Sequence, residues 1–347
     1  MWSASALDDF RSRKYLEDGV SRKQGKGASR SPEKGTSGLR SAAFVGLGQM
    51  GRALAPHLSG SGLELTCVDP DEGVGREVQA AGLTWAPRLR DLGSVDVVFL
   101  CVPGPVEVTE VLAELGKLER APTFLVNLST IGPDATVGVC ASFRKFAPHG
   151  VYVESPISGG VLRAADRECA LLWAAEPAEG RAEIEPLLEH LSRCLIAFQT
   201  VAEAATAKLA NNLAMLATSF GALEAMEWAT RRGVALDDLF DALRAGTADS
   251  YPLRSTLARS VQEGDYERGF AMRLALKDVR LILDGTDPPR SKMPLAHEIG
   301  RQLQAGCEAG LGEMTFPAVV AGRGIRGASA LSGKAGDELR DTGGALR

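Results

Sequence analysis

The sequence predicts an α/β fold in three parts: a doubly wound parallel sheet, one long connecting helix, and an all-α C-terminal domain. Three observations carry this expectation. Short apolar runs alternate with helix-like segments over residues 41–199, the pattern of βαβ units that assemble a parallel sheet. A glycine-rich turn joins the first apolar run to the first helical one, where a strand hands over to a helix. From Thr200 onward the pattern is helix alone, opening with a stretch over 201–232 that holds no proline and one glycine, Gly221.

The first strand is the apolar run 42–45, followed by Gly46-Leu47-Gly48-Gln49-Met50-Gly51. Gly46 permits the tight turn out of the strand and Gly48 lets backbone amides approach a pyrophosphate. Gly51 lets the following helix pack close to the sheet, with phosphates at its positive end. Pro56 is tolerable only if it falls within the first turns of that helix. A second strand over 63–68 ends in Asp69, eighteen residues beyond Gly51. Its carboxylate suits the ribose hydroxyls of an adenosine and would repel a 2′-phosphate, so the expected cofactor is NAD rather than NADP. Strand, turn, helix and acid together define a Rossmann-type dinucleotide-binding unit, where a bare glycine pattern would not.

A short helix over 72–81 comes next, then a buried-type strand over 96–101 closed by Pro103-Gly104-Pro105. A helix over 106–118 leads to a strand over 123–127, then Ser129-Thr130 and a helix opened by Pro133. Runs at 151–154, 169–174 and 195–198 supply further strands. Ligands of such sheets bind outside the carboxyl ends of the strands. Val102-Pro103, Thr130 and Ser155-Pro156 all lie at such ends, so three loops are expected to converge on one crevice.

In the long helix Leu209, Leu213, Leu216, Phe220, Leu223 and Met226 form a helical stripe. Roughly 30 residues at 1.5 Å each give about 45 Å, a length suited to tying two domains together. Gly233 ends it, and helices over 236–243, 252–262, 272–284 and 294–309 complete the C-terminal domain. The expected divisions are a basic, disordered tail over 1–38 and a dinucleotide-binding domain over 39–199. A helical substrate and oligomerisation domain over 200–321 and a flexible tail over 322–347 follow.

Composition narrows the function. The net charge of −5 and the lack of a recurring basic stripe argue against nucleic acid. No apolar run reaches membrane-spanning length. Six cysteines without CxxC spacing and four histidines without ligand spacing point to no metal. A cytoplasmic location is expected. The basic tail leaves mitochondrial or other organelle import open, against the acidic Asp8, Asp9, Glu17 and Asp18.

Two segments carry chemistry. Lys208 and Asn212 are four apart and share a helix face, on a helix that begins where the nucleotide domain ends. A dehydrogenase needs a group to take up or give a hydroxyl proton, and a lysine serves if burial lowers its pKa toward neutrality. Glu154-Ser155-Pro156-Ile157-Ser158-Gly159-Gly160 presents two glycines after a serine, a backbone nest suited to a carboxylate.

The ordered set of motifs resembles the β-hydroxyacid dehydrogenase family, typified by 3-hydroxyisobutyrate dehydrogenase, with tartronate semialdehyde and glyoxylate/succinic semialdehyde reductases as relatives. It comprises the Gly46–Gly51 turn, Ser129-Thr130 with Pro133, Pro156 to Gly160, Lys208 with Asn211-Asn212, Phe270 with Lys277-Asp278, and Gly310-Leu311-Gly312. The resemblance implies Lys208 as acid/base with Asn212 as its partner, and Ser158, Gly159 and Gly160 on the substrate carboxylate. It implies Val102, Pro103 and Thr130 along the nicotinamide half of the cofactor, Lys277 reaching into the cleft, and a homodimer or homotetramer. The substrate would be a small hydroxy acid or semialdehyde. Departures stand at Ala202, Ala204 and Arg167, where the family usually has glycine, and at Thr315 and Pro317, where it has acidic and serine residues. Arg163 is either a solvent-facing charge or a second carboxylate ligand. Two other readings stay open here: an NADPH-dependent glyoxylate/succinic semialdehyde or imine reductase, and a catalytically silent nucleotide-binding scaffold.

Overall fold

The computed structural model describes residues 38–285 and 292–320. The expectations for the two terminal tails, including import through the first, concern residues outside that range. Among the described residues, β1 (Ser41–Val45), β2 (Glu64–Val68), β3 (Thr84–Ala86), β4 (Val97–Leu100), β5 (Phe124–Asn127) and β6 (Val151–Glu154) run parallel in the order β3-β2-β1-β4-β5-β6. Strand order reverses at β1, which pairs with β2 on one side and β4 on the other. In doubly wound sheets ligands bind at such a switch point, here outside the carboxyl ends of β1 and β4.

Beyond β6 the sheet departs from the purely parallel expectation. β7 (Ile157–Ser158) and β6 both pair antiparallel with β8 (Ala170–Glu176), and β9 (Cys194–Ala197) pairs parallel with β8. A run of six apolar residues ending in Glu176 carries no record of its direction, so only the chain's return path decides it.

The parallel strands read as continuous apolar runs because both faces are covered. In β1, Ala42 and Phe44 enter the core on one face, while Ala43 and Val45 enter the core on the other. Helix α1 (Gln49–Leu54) stops sooner than expected, passing into a tighter 3₁₀ turn over Ala55–Gly60 with Pro56 at its start. Proline has no N–H to continue the α ladder. Helices α2 (Glu72–Ala80), α3 (Pro105–Leu115), α4 (Pro133–Phe146), α5 (Gly160–Ala165) and α6 (Arg181–Leu191) complete this half.

The long helix α7 (Val201–Arg231) starts at a capping box in which the Thr200 hydroxyl and the Glu203 carboxylate satisfy each other's backbone amides. Its first turn belongs to the sheet core, through Val201 and Ala204. Further on, Leu216, Phe220, Leu223 and Met226 belong to the helical core with Phe240, Leu257 and Phe316. One rigid rod is thus shared by two cores. The helical domain adds α8 (Leu236–Ala245), a wider π-type helix (Leu253–Gln262), α9 (Met272–Asp284) and α10 (Pro294–Gly306).

The departures from the family pattern find places in this frame. Ala202 and Ala204 lie in the first turn of α7, where alanine favours helix over glycine. Arg167 takes the left-handed φ of +59° that glycine would adopt freely. Its carbonyl accepts from Arg193 N and its guanidinium donates to the Glu189 carbonyl, fixing the turn. Thr315 is buried with its hydroxyl 3.1 Å from that of Ser260. No helix among the described residues is long and apolar enough to cross a membrane.

Candidate active site

Sterics at the first turn demand glycine. A Cβ on Gly46 would lie 2.4 Å from the Cys101 carbonyl oxygen, and one on Gly51 would lie 2.0 Å from the Gly46 oxygen. Both belong to close backbone packing of turn, sheet and helix. Gly48 is different: a Cβ there would meet nothing within 4 Å, and no side chain caps the helix it begins. Open space beside uncapped amides suits a pyrophosphate. Leu47, Gln49 and Met50 complete this turn. Asp69 is pinned beside it, its Oδ2 accepting from Leu47 N at 2.8 Å and its Oδ1 from Asp71 N at 3.0 Å.

Two of the strand-end loops meet directly. Val102 N donates to Ser129 Oγ at 2.9 Å, so the loops after β4 and β5 are tied together, with exposed Pro103 following. The Thr130 carbonyl accepts from Lys277 Nζ, a side chain delivered by α9 of the helical domain. A buried polar chain underlies these loops. Ser129 N donates to Asn127 Oδ1 at 3.2 Å, and Asn127 Nδ2 to Glu154 Oε2 at 2.9 Å. Tyr152 also donates to that oxygen, at 2.6 Å. Burial pushes the Glu154 carboxyl up to about 8, against the opposing pull of these donors.

Next comes the serine-glycine loop. Gly159 and Gly160 adopt φ of +138° and +75°, and a Cβ on Gly159 would sit 3.0 Å from the Cys169 Cα. Ser158 Oγ accepts from Asn211 Nδ2 at 3.0 Å. Because the hydroxyl accepts there, its own proton is free to be donated elsewhere.

Asn211 sits on α7 beside the central pair. Lys208 is 8% exposed, and its Nζ donates to Asn212 Oδ1 at 2.8 Å. Asn212 Nδ2 donates to Oδ2 of Asp278 at 2.6 Å, and Asp278 Oδ1 lies 3.1 Å from Lys277 Nζ. Burial pulls the Lys208 ammonium down to about 8, with Asp278 opposing and Lys277 assisting. The expected pair is therefore assembled, and Lys277, Thr130, Ser158 and Lys208 all meet at the junction of the two domains.

Sequence reading assigned no role to Asp278, Asn211 or Ser129. Asp278 lies 66 residues from Asn212 in the chain, and no local pattern connects them. Its place in the Lys277-Asp278 motif is the signal the sequence carries.

A glycine cradle at a sheet switch point, with a buried amine at the domain junction beyond it, defines an oxidoreductase that binds a pyridine nucleotide. Residues 41–199 match the family model described as the NAD binding domain of 6-phosphogluconate dehydrogenase. Residues 202–321 match that described as NAD-binding of NADP-dependent 3-hydroxyisobutyrate dehydrogenase. The mitochondrial 3-hydroxyisobutyrate dehydrogenase of Drosophila melanogaster is 25% identical over 291 residues, covering 81% of this chain and 89% of the relative. The 2-(hydroxymethyl)glutarate dehydrogenase of Eubacterium barkeri is 24% identical over 282 residues, covering 80% and 92%. Among solved structures, the 3-hydroxyisobutyrate dehydrogenase of Salmonella typhimurium superposes with a TM-score of 0.72 at 24% identity, covering 81% and 99%. This chain belongs to the β-hydroxyacid dehydrogenase family.

Proposed function

We propose that the protein is an NAD-dependent dehydrogenase interconverting a short 3-hydroxy acid and its semialdehyde, with Lys208 as acid/base. The observation that carries this reading is the buried Lys208 ammonium, held by Asn212 and brought to about 8 by desolvation. An amine near neutrality gives and takes a proton at comparable cost.

The residues that would hold the dinucleotide are Gly46, Leu47, Gly48, Gln49, Met50 and Gly51 at its phosphates and Asp69 at its ribose. Val102, Pro103, Thr130 and Lys277 would line its nicotinamide half. When bound, the nicotinamide accepts the hydride in oxidation and returns it in reduction. Neutral Lys208 takes the hydroxyl proton as the carbinol carbon loses its hydride, and the ammonium returns it to the carbonyl oxygen in the reverse direction. Asn212 holds the amine in place without adding a charge. Ser158, with Gly159 and Gly160, grips the substrate carboxylate through its free hydroxyl proton and backbone amides. Asp69 favours NAD, while the family description of the C-terminal half names an NADP-dependent enzyme, so cofactor choice is tested separately below. Self-association through the helical domain belongs to this proposal, with size-exclusion chromatography coupled to light scattering as its measurement.

Lys208→Ala should lower kcat by about 10²- to 10⁴-fold while dinucleotide binding by calorimetry is kept. Turnover at wild-type rate with 3-hydroxyisobutyrate or a homologous hydroxy acid would remove the lysine from its role.

A further inference from the structure

Arg163 lies in α5, five residues beyond Ser158. Its guanidinium carbon stands 5.6 Å from the centre of the Tyr251 ring. The Tyr251 hydroxyl reaches to 3.5 Å from the Gly159 carbonyl oxygen. The ring comes from the helical domain, at the start of the π-type helix, and is 52% exposed. Arg163 and Tyr251 therefore bracket the loop that presents Gly159 and Gly160, one from each domain.

Arg163 differs from the arginines of this chain that are paired with carboxylates. Arg52, Arg120, Arg254, Arg268, Arg273 and Arg301 each meet a carboxylate. Among the described residues, no carboxylate pairs with Arg163. It sits in the last turn of α5, where any cation would favour the helix dipole. That explanation asks only for charge. It does not account for a guanidinium held against an aromatic face from the opposite domain, with its hydrogen-bonding fork unpaired. Stacking orders the side chain in advance, and a planar fork with parallel donors matches a carboxylate.

We propose that Arg163, steadied by Tyr251, receives a second anionic group of the substrate, so that the preferred substrates are short hydroxy acids carrying two carboxylates. The inference rests on the reading above, in which the Ser158 loop holds the first carboxylate. It adds the far end of the molecule. A monocarboxylic hydroxy acid would leave the guanidinium solvated and gain nothing from it.

The test compares methylsuccinate, a dianion, with isobutyrate, a monoanion, binding to the full-length protein saturated with NAD, by calorimetry. The wild type should favour methylsuccinate by about tenfold or more. Arg163→Gln should abolish that advantage and leave isobutyrate within about twofold. Arg163→Lys keeps the helix-end charge without the fork and should retain only part of the advantage, which also guards against a misfolded glutamine variant. Tyr251→Phe keeps the ring and should behave as wild type, whereas Tyr251→Ala should lose part of the advantage. Equal binding of the two probes by the wild type, an advantage that survives Arg163→Gln, or equal weakening of both probes in that variant would each overturn the assignment. Turnover is assayed in parallel with 2-(hydroxymethyl)butanedioate and 3-hydroxyisobutyrate. If the wild type oxidises neither yet the dianion advantage appears and depends on Arg163, the dehydrogenase reading fails while the second anion site stands.

Discussion

Asn212 donates to Asp278 Oδ2 at 2.6 Å, and that bond, together with the donors Lys208 and Asn211 on its oxygen, fixes which end of its amide faces Lys208. A carboxylate only accepts, so the amide nitrogen must turn to Asp278 and the amide oxygen to the ammonium. Asp278 also favours the charged form of Lys208 across this bridge. Asp278→Asn should therefore let the lysine fall below about 8. The pH–rate profile should shift its lysine-dependent limb to lower pH, and an unmoved limb would show that Asp278 has no electrostatic hold on Lys208.

The pH dependence of wild-type activity follows from the same group. Oxidation needs the neutral amine, so its rate should rise with pH through about 8; reduction needs the ammonium and should fall through the same point. Stability has its own sign. The folded chain releases the Lys208 proton near 8, whereas an unfolded lysine keeps it to about 10.5. Between those values the unfolded state binds more protons, so stability should rise with pH there. Lys208→Met should remove that increment in denaturant titrations across the window.

Gly46 and Gly48 should part company when replaced by alanine. Gly46→Ala drives a methyl against the Cys101 carbonyl at 2.4 Å in a left-handed conformation, and should cost more than about 2 kcal/mol of stability. Gly48→Ala meets no protein atom and should leave the melting temperature near wild type. It should still weaken dinucleotide binding measured by calorimetry. Unchanged binding would place the pyrophosphate elsewhere.

Asp69→Ser tests cofactor choice. Its carboxylate is held by Leu47 N and Asp71 N, so a 2′-phosphate would meet a fixed negative charge. The variant should move the NAD to NADP ratio of kcat/KM toward NADP by about tenfold or more. A ratio that does not move would take Asp69 out of the ribose contact.

Legibility differed from element to element. β1, β2, β4, β5 and β6 were readable because each is a local apolar run with turn residues on both sides. β3 and β7 were not: three and two residues hold their shape only by pairing with β2 and β8. In the site, the Gly46–Gly51 turn and the Lys208/Asn212 pair were readable because their chemistry depends on short spacing. The roles of Asp278 and Ser129, and Tyr251 altogether, were not, since each acts through a partner distant in the chain.

What the sequence determined alone is whatever depends on neighbours along the chain: glycines where Cβ atoms cannot fit, an acid after the second strand, and a lysine and an asparagine one helical turn apart. The tertiary structure decided the rest. It buried Lys208 at the junction of two cores, turned β8 against the parallel sheet, and carried Asp278 and Tyr251 in from the helical domain. Desolvation and charge pairing depend on distances in space, and no spacing rule along a chain encodes the folding that brings those distances about.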